Sequence, residues 1–218
     1  MEIKYIAHSS FIIKTKNATI VTDPFSSEIG VRFPKVEADI VTISHDHSDH
    51  NQSTVIDGAP SVFDWPGEFE LKGVTIIGTP SFHDDEKGAK RGLNTMYKFS
   101  VEGMNILHCG DLGHLLDDKT LETIGSVDIL FIPVGGTYTI DCAKASQVAK
   151  RIDPSIIIPM HFANPKLDQK VFGELESAES FAKIFGGGNS EKLPKLVVKR
   201  EDIVSETSTR VVIIEPTA

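Results

Sequence analysis

An α/β fold is what this sequence predicts, on three observations. Asp141 to Pro159 reads as a helix feeding a buried strand, the unit from which α/β sheets are built. Short, wholly apolar runs recur along the chain and empty into Gly, Pro or His, as strands covered on both faces do. With 218 residues, 40% of them apolar and 24% charged, the chain has an ordinary globular composition and can bury one substantial core. The expectation is therefore a single domain spanning residues 1–218.

The opening residues give strands at Ile3 to Ile6, Phe11 to Lys14 and Ala18 to Thr22. The last two are separated by the turn-prone pair Lys16-Asn17, which suits an antiparallel sheet. Ile40 to Ile43 is a buried strand whose end delivers a histidine cluster. From Val62 to Phe99 the pattern stays β-rich, with Val74 to Ile77, a charged loop from Asp84 to Gly92 that is expected to be mobile, and then Thr95 to Val101. Asn105 to Asp111 and Asp128 to Pro133 each repeat the strand-then-exit arrangement. Asp141 is a helix N-cap, Cys142, Ala145, Val148, Ala149 and Ile152 share a face, and Asp153-Pro154 is the stop. Ile156 to Pro159 follows as a strand ending at Met160-His161. Val171, Leu175, Ala178, Ala182 and Phe185 share one face of a second helix, closed by Gly186 to Gly188. Val211 to Ile214 is the last strand.

The formal charge of −9 is spread along the chain, so its field opposes nucleic acid phosphates. No run approaches the roughly 20 apolar residues of a membrane span, and the first residues read as strand rather than as a secretory leader. Cys109 and Cys142, without Cys-x-x-Cys spacing, point away from disulfides and thiol-held metals and toward a reducing, cytoplasmic setting.

Ser44-His45-Asp46-His47-Ser48-Asp49-His50-Asn51 packs three histidines and two aspartates closely behind an apolar strand. Imidazole and carboxylate together hold zinc, and also iron or manganese. In an extended chain alternate side chains share a face, so His45 and His47 can reach one ion while the following turn carries Asp49 and His50 toward another. The alternative is a polar loop of solvated histidines. Two ions need more donors, and the remaining candidates, His83, Asp111 and His161, stand singly at strand ends. A carboxylate such as Asp111 can bridge two cations because each of its oxygens offers lone pairs. At each outlying position the plainer reading is an ordinary polar residue at a strand exit.

The order His-x-His-x-Asp-His, then His, Gly-Asp and a last His resembles the metallo-β-lactamase superfamily over most of the chain. Ala7-His8-Ser9-Ser10-Phe11, Thr22-Asp23-Pro24 and Pro159-Met160-His161-Phe162 are similar to its branch of predicted zinc-dependent hydrolases that includes ascorbate-6-phosphate lactonase. The resemblance implies a four-layer αββα sandwich, two mixed β-sheets flanked by helices. It implies that His45, His47 and His83 hold one metal, that Asp49, His50 and His161 hold a second, and that Asp111 bridges them. Two divalent ions per chain are then expected, zinc first, with manganese or iron as alternatives.

Further residues carry two readings each. Asp23 would lie beneath the site and accept a hydrogen bond from a ligand imidazole, or is a turn-forming Asp before Pro. Asp46 is a similar support or merely solvated. His8 stands where the branch has a His after Gly, with Ala7 in place of that Gly, and is a candidate to line the pocket. His114, three residues past Asp111, is a candidate substrate contact. His108 and both cysteines read as core. Gly135 to Asp141 is either an anion site at a helix N-terminus or a connection capped by Asp141. Trp65 to Phe69 is a candidate pocket wall.

Paired ions lower the pKa of a shared water from about 16 toward neutrality and polarise the substrate oxygen. Asp49 would orient the resulting hydroxide and relay its proton. No Gly-x-Ser-x-Gly nucleophile elbow is present. The expected function is a metal-dependent hydrolase that uses a metal-bound hydroxide to cleave an ester, lactone, amide or phosphodiester of a small molecule. No membrane partner is expected, and a homo-oligomer is compatible with the sequence. The alternatives are a metal-dependent nuclease, an iron-loaded oxygen or nitric oxide reductase with a flavin partner, and a non-catalytic metal-binding protein that retains the fold.

Overall fold

A computed structural model describes residues 1–205 and 208–218. In chain order the strands and helices are β1 (Glu2–Ala7), β2 (Ser10–Lys14), β3 (Thr19–Thr22), β4 (Ile40–Thr42), β5 (Ser61–Phe63), β6 (Gly67–Leu71), β7 (Val74–Phe82), β8 (Leu93–Val101), β9 (Met104–His108), α1 (Asp118–Ile124) and β10 (Ile129–Pro133). There follow α2 (Cys142–Ile152), β11 (Ile156–Met160), α3 (Gln169–Phe172), α4 (Ala178–Gly186), β12 (Glu191–Leu193), β13 (Leu196–Val197), α5 (Arg200–Ser205) and β14 (Arg210–Ile214).

The strands form two sheets, a six-stranded one in the order β13-β1-β2-β3-β4-β5 and an eight-stranded one in the order β12-β14-β11-β10-β9-β8-β7-β6. Both are mixed. The first is antiparallel from β13 to β3 and parallel from β3 to β5. The second is parallel from β12 to β9 and antiparallel from β9 to β6.

Period-two alternation explains why the early strands are apolar on both faces. Phe11, Ile13, Ile20 and Ile40 enter the core shared with the eight-stranded sheet, whereas Ile12, Val21 and Val41 enter a second cluster on the opposite face. The first core closes across the sheets at Phe11 and Phe131, whose rings stack with centroids 4.2 Å apart. Helices α2 and α4 cover the outside of the eight-stranded sheet. The outer cluster of the six-stranded sheet is closed by Phe25, Ile29, Leu167 and Phe172, from a single helical turn at Ser27–Ile29, α3 and the segment before it. Among the described residues no helix is long and apolar enough to cross a membrane.

Strand direction places the site. β1, β3 and β4 run the same way in one sheet, and β7, β9 and β11 run the same way in the other. Each of these exits carries one or more of the residues singled out by the sequence, so the polarity of six strands gathers them at one edge of the sandwich.

Two sequence expectations are corrected. The single helix expected through Val171, Leu175, Ala178, Ala182 and Phe185 is broken into α3 and α4. Between them Glu176 donates its N–H to Gly135 O at 2.8 Å and accepts Ala163 N–H at 3.0 Å, and Ser177 starts α4 as an N-cap on Ser180 N–H. Bonds to two neighbouring segments outweigh a helical periodicity that was real on either side of the break. The loop from Asp84 to Gly92 is tied down rather than loose. The Asp84 carboxylate accepts the N–H groups of Glu86 and Gly88 at 2.8 Å each, Lys90 at 2.9 Å and Arg91 at 2.7 Å. The short elements α1, β12, β13 and α5 go beyond the sequence reading.

Burial pushes the Asp84 carboxyl upward, but the four backbone donors, Arg91 foremost, pull it down to about 2. That lies below the unfolded value of 3.8, so its contribution is present above about pH 4 and is lost as pH falls toward 2. Asp84→Ala is expected to abolish hydrogen-exchange protection at the amides of Glu86, Gly88, Lys90 and Arg91 while leaving the β7–β8 ladder protected. Unchanged protection at those four amides would show that the loop is held by something else.

Candidate metal centre

Asp23 organises the site from below. It leaves β3 with φ 40°, in the left-handed region, and is fully buried. Its Oδ1 accepts Ser44 N–H at 2.8 Å, and its Oδ2 accepts the Ser44 hydroxyl at 2.6 Å and faces His50 Nδ1 at 2.9 Å. Ser44 Oγ also lies 2.9 Å from His45 Nδ1. A hydroxyl that donates to Asp23 must accept from His45, so His45 carries its proton on Nδ1 and turns a bare Nε2 toward the site, while His50 holds its Nδ1 proton against Asp23.

Three groups of donor atoms converge there, each mutually within 4.8 Å. They are His45, His47 and His83; His8, His50 and His161; and His45, His50 and Asp111. His45 Nε2 and His47 Nδ1 are 3.0 Å apart. Asp111 joins the groups, because its Oδ2 lies 3.4 Å from His50 Nε2, 3.3 Å from His83 Nε2 and 3.2 Å from His161 Nε2. Asp111 N–H donates to Asn94 Oδ1 at 2.9 Å. Gly110 is required just before it, with φ 55°. A Cβ there would meet Asn94 Oδ1 at 2.3 Å and Ser44 Cβ at 2.5 Å.

The charges demand a cation. Asp23 and Asp111 are buried and Asp49 lines the cavity above them, yet among the described residues no Lys or Arg pairs with any of the three. Burial would raise Asp111, but His161 and His50 hold it well below the usual carboxylate range. Burial disfavours charge on His50, yet Asp111, Asp23 and Asp49 lift it well above an ordinary imidazole. Burial keeps His45 well below its ordinary value, holds His8 down to about 4 and lowers His47. Ionised carboxylates thus face a ring of imidazole nitrogens, and among the described residues no Lys or Arg balances their charge. This donor set fits divalent metal ions of the zinc, manganese or iron kind.

The other candidate residues divide. His8 enters the second donor group, with Nε2 3.1 Å from Asp49 Oδ2. His114 turns away: Nδ1 donates to Leu115 O at 2.8 Å and Nε2 accepts Phe82 N–H at 3.2 Å, so its ring is spent on backbone. His108 is core, donating from Nε2 to Ser9 O at 2.8 Å. Asp46 accepts from Asn51 at the surface. Asp141 caps α2 by accepting Lys144 N–H, and the Glu176 carboxylate takes Cys142 N–H at 2.9 Å, which fits the connection reading of Gly135 to Asp141.

Above the donors lies a cavity of about 330 Å³ lined by His47, Asp49, His83, Arg91, Asp111, Tyr138, His161, Val171 and Phe172. A neighbouring hollow of about 370 Å³ shares Arg91 and His47 and adds Trp65 and Leu93. Arg91, Tyr138, Val171 and Phe172 escaped sequence reasoning. The Arg91 guanidinium donates to Thr137 O at 3.0 Å and lies 5.2 Å from the Tyr138 ring centre, with no carboxylate partner among the described residues. No local motif marks it, because its place depends on the Asp84-bound loop.

Asp23→Ala should leave Ser44 N–H and His50 Nδ1 unpaired in a dry site. The expected cost is about 3 kcal/mol or more in denaturant unfolding, with metal affinity falling about 10–100-fold by titration. Wild-type metal affinity in this variant would remove Asp23 from the support of the ligands.

Residues 2–161 match the family model of the β-lactamase superfamily domain. A candidate Zn-dependent hydrolase of the metallo-β-lactamase superfamily from Thermotoga maritima is 34% identical, with a TM-score of 0.82 and 99% of each chain covered. A metallo hydrolase from Ignicoccus hospitalis shares the fold at 19% identity and a TM-score of 0.68, over 99% of this chain and 95% of that one. A metal-dependent hydrolase of Carboxydothermus hydrogenoformans is 28% identical over 191 residues, 74% of this chain and 84% of its own. With two mixed sheets, flanking helices and a His/Asp cluster at the strand exits, matched by that model over most of its length, the chain belongs to the β-lactamase superfamily.

Proposed function

We propose that this chain is a hydrolase with a dinuclear metal centre, most simply zinc, that cleaves an ester, lactone or phosphodiester of a small molecule bearing an anionic group. One observation carries the reading. A single carboxylate oxygen, Asp111 Oδ2, lies 3.3 Å from His83 Nε2, 3.4 Å from His50 Nε2 and 3.2 Å from His161 Nε2, and Asp111 lines a cavity sized for a small ligand. His45, His47 and His83 would hold one ion and Asp49, His50 and His161 the other.

Bound divalent metals supply an acidified water and polarise the substrate oxygen. The residues of the chain do the rest. Asp49 keeps 26% of its side chain exposed and lines the cavity, so it can orient a water and carry a proton to the leaving group. Tyr138 and Phe172 give apolar walls that limit water. Arg91, held by the Thr137 and Tyr138 carbonyls and the Tyr138 ring but by no carboxylate among the described residues, offers its remaining donors to a substrate carboxylate or phosphate. A cavity of about 330 Å³ and a net charge of −9 favour a small molecule over nucleic acid.

Elemental analysis of the purified chain should find close to two divalent ions; one or fewer overturns the dinuclear reading. In a screen of esters, lactones and phosphodiesters, Asp49→Ala should lower kcat by about 100-fold or more on any substrate that is turned over. Hydrolysis at the wild-type rate would remove that role from Asp49. Arg91→Ala should raise KM about 10-fold or more for a carboxylate- or phosphate-bearing ester and leave a neutral analogue unchanged. Equal effects on both would refute anion recognition by Arg91.

A further inference from the structure

We propose that His8 is a direct ligand of the second metal ion, giving that site five protein donors: His8, Asp49, His50, Asp111 and His161. The inference rests on the dinuclear reading above and goes beyond the ligand set implied by motif position, which leaves His8 out.

Geometry comes first. His8 Nε2 lies 3.1 Å from Asp49 Oδ2 and 3.1 Å from His50 Nε2. The donor atoms of His8, His50 and His161 all fall within 4.8 Å of one another, and the His8 ring centre is 4.1 Å from that of His161. Donors that share one ion at about 2.1 Å stand roughly 3.0 to 3.4 Å apart when their bonds meet at right or tetrahedral angles. His8 therefore sits at ligand spacing from two residues already assigned to that ion.

Hydrogen bonding alone does not account for the ring. His8 is 1% exposed, and its Nδ1 is buried with no partner. A neutral imidazole that donates from Nε2 leaves a bare lone pair at Nδ1 without a donor. One that is protonated at Nδ1 leaves an N–H without an acceptor and turns the Nε2 lone pair on a carboxylate and a second lone pair. Only a cation among those lone pairs makes the second arrangement favourable.

The backbone is also committed to this placement. His8 has φ 59° and His161 φ 51°, the left-handed region that Gly or Asn would adopt at less cost. His161 N–H donates to His8 O at 2.7 Å, and the Tyr5 hydroxyl donates to the same carbonyl at 2.8 Å. Two strained residues from different sheets are locked together so that both rings face one point, as strain at functional sites does.

Five donors, three nitrogens and two carboxylates, exceed the four of a closed tetrahedral zinc site and suit a five- or six-coordinate ion. His45, His47 and His83 with the bridging Asp111 form a four-donor set. The two sites are then unequal, and the second favours manganese or iron more than the first does.

The test uses the full chain, with Co²⁺ as the probe, in wild type, His8→Asn and His8→Ala, and thermal unfolding of the metal-free proteins as the control on folding. Wild type should take two Co²⁺ per chain. His8→Asn, which tolerates the left-handed backbone, should bind the first ion as wild type does, bind the second at least 10-fold more weakly, and change the visible absorption of the second equivalent only. Two equivalents bound with wild-type affinity and spectrum in both variants would overturn His8 as a ligand while sparing the dinuclear reading. One equivalent in wild type would overturn both. Should neither variant fold, anomalous diffraction from Mn²⁺-soaked wild-type crystals decides the matter. Nε2 of His8 at about 2.0 to 2.3 Å from the second ion supports ligation, and a separation above about 3 Å refutes it.

Discussion

A carboxylate buried with no Lys or Arg partner among the described residues must be satisfied where it stands, and the Asp23 side chain is the point from which the candidate metal centre is built. Its two oxygens take the backbone and hydroxyl of Ser44 and the Nδ1 of His50. These bonds join the exit of β3 to the exit of β4 immediately before the ligand run begins, so that the run enters the site in one orientation. Ser44 in turn lies against Gly110, where even a methyl group would collide with it. The contact brings the two sheets together at the height of Asp111. The path from Asp23 through Ser44 and Gly110 to Asp111 therefore sets how far the Asp111 carboxylate lies from the imidazoles it faces.

Strand polarity does the coarse positioning, and backbone strain does the fine positioning. Six strands pointing toward one edge bring His8, Asp23, the His45 to His50 run, His83, Asp111 and His161 to within reach of one another. A residue that continued as strand would carry its side chain up or down the sheet face, away from that edge. His8, Asp23 and His161 instead turn into the left-handed region at the first position past their strands. Each such turn costs of order 1 kcal/mol or more in a residue with a Cβ. Metal binding at these exits would offset that cost several times over.

How much of this was legible in the sequence depended on whether the signal was local. The apolar run ending at His45 and the density of His and Asp after it mark a ligand loop with no further information. His83, Asp111 and His161 were found because a buried strand that ends in a single polar residue is itself a local pattern. The partner of Asp23 was legible only through a resemblance. Arg91 and Tyr138 were not visible, since nothing near them in sequence says that a charged loop folds back on the Asp84 carboxylate and sets a guanidinium over a ring. The break between α3 and α4 was hidden for the converse reason. Helical periodicity persisted through Leu175 and Ala178, and the competing bonds of Glu176 to Gly135 and Ala163 come from segments distant in sequence. The placing of His114 was not legible either, because its two ring nitrogens meet Leu115 O, beside it in the chain, and Phe82 N–H, distant in sequence.

Charge acts at two ranges in the two-ion reading, and the two point opposite ways. Close to the centre, two divalent ions outweigh the three carboxylates Asp23, Asp49 and Asp111 by about one charge, and Arg91 at the cavity mouth adds another. Beyond a Debye length of about 8 Å these local charges are screened, and the approaching ligand meets a chain whose formal charge of −9 becomes about −5 with two divalent ions bound, still acidic. A polyanion too large for the cavity must hold most of its charge against that surface and is repelled. A small ligand with one anionic group feels the outer field weakly and, once inside, would sit among the Arg91 guanidinium and two metals. In that reading the same distribution would oppose nucleic acid and draw a compact anion onto the centre, with selection made by size as much as by sign.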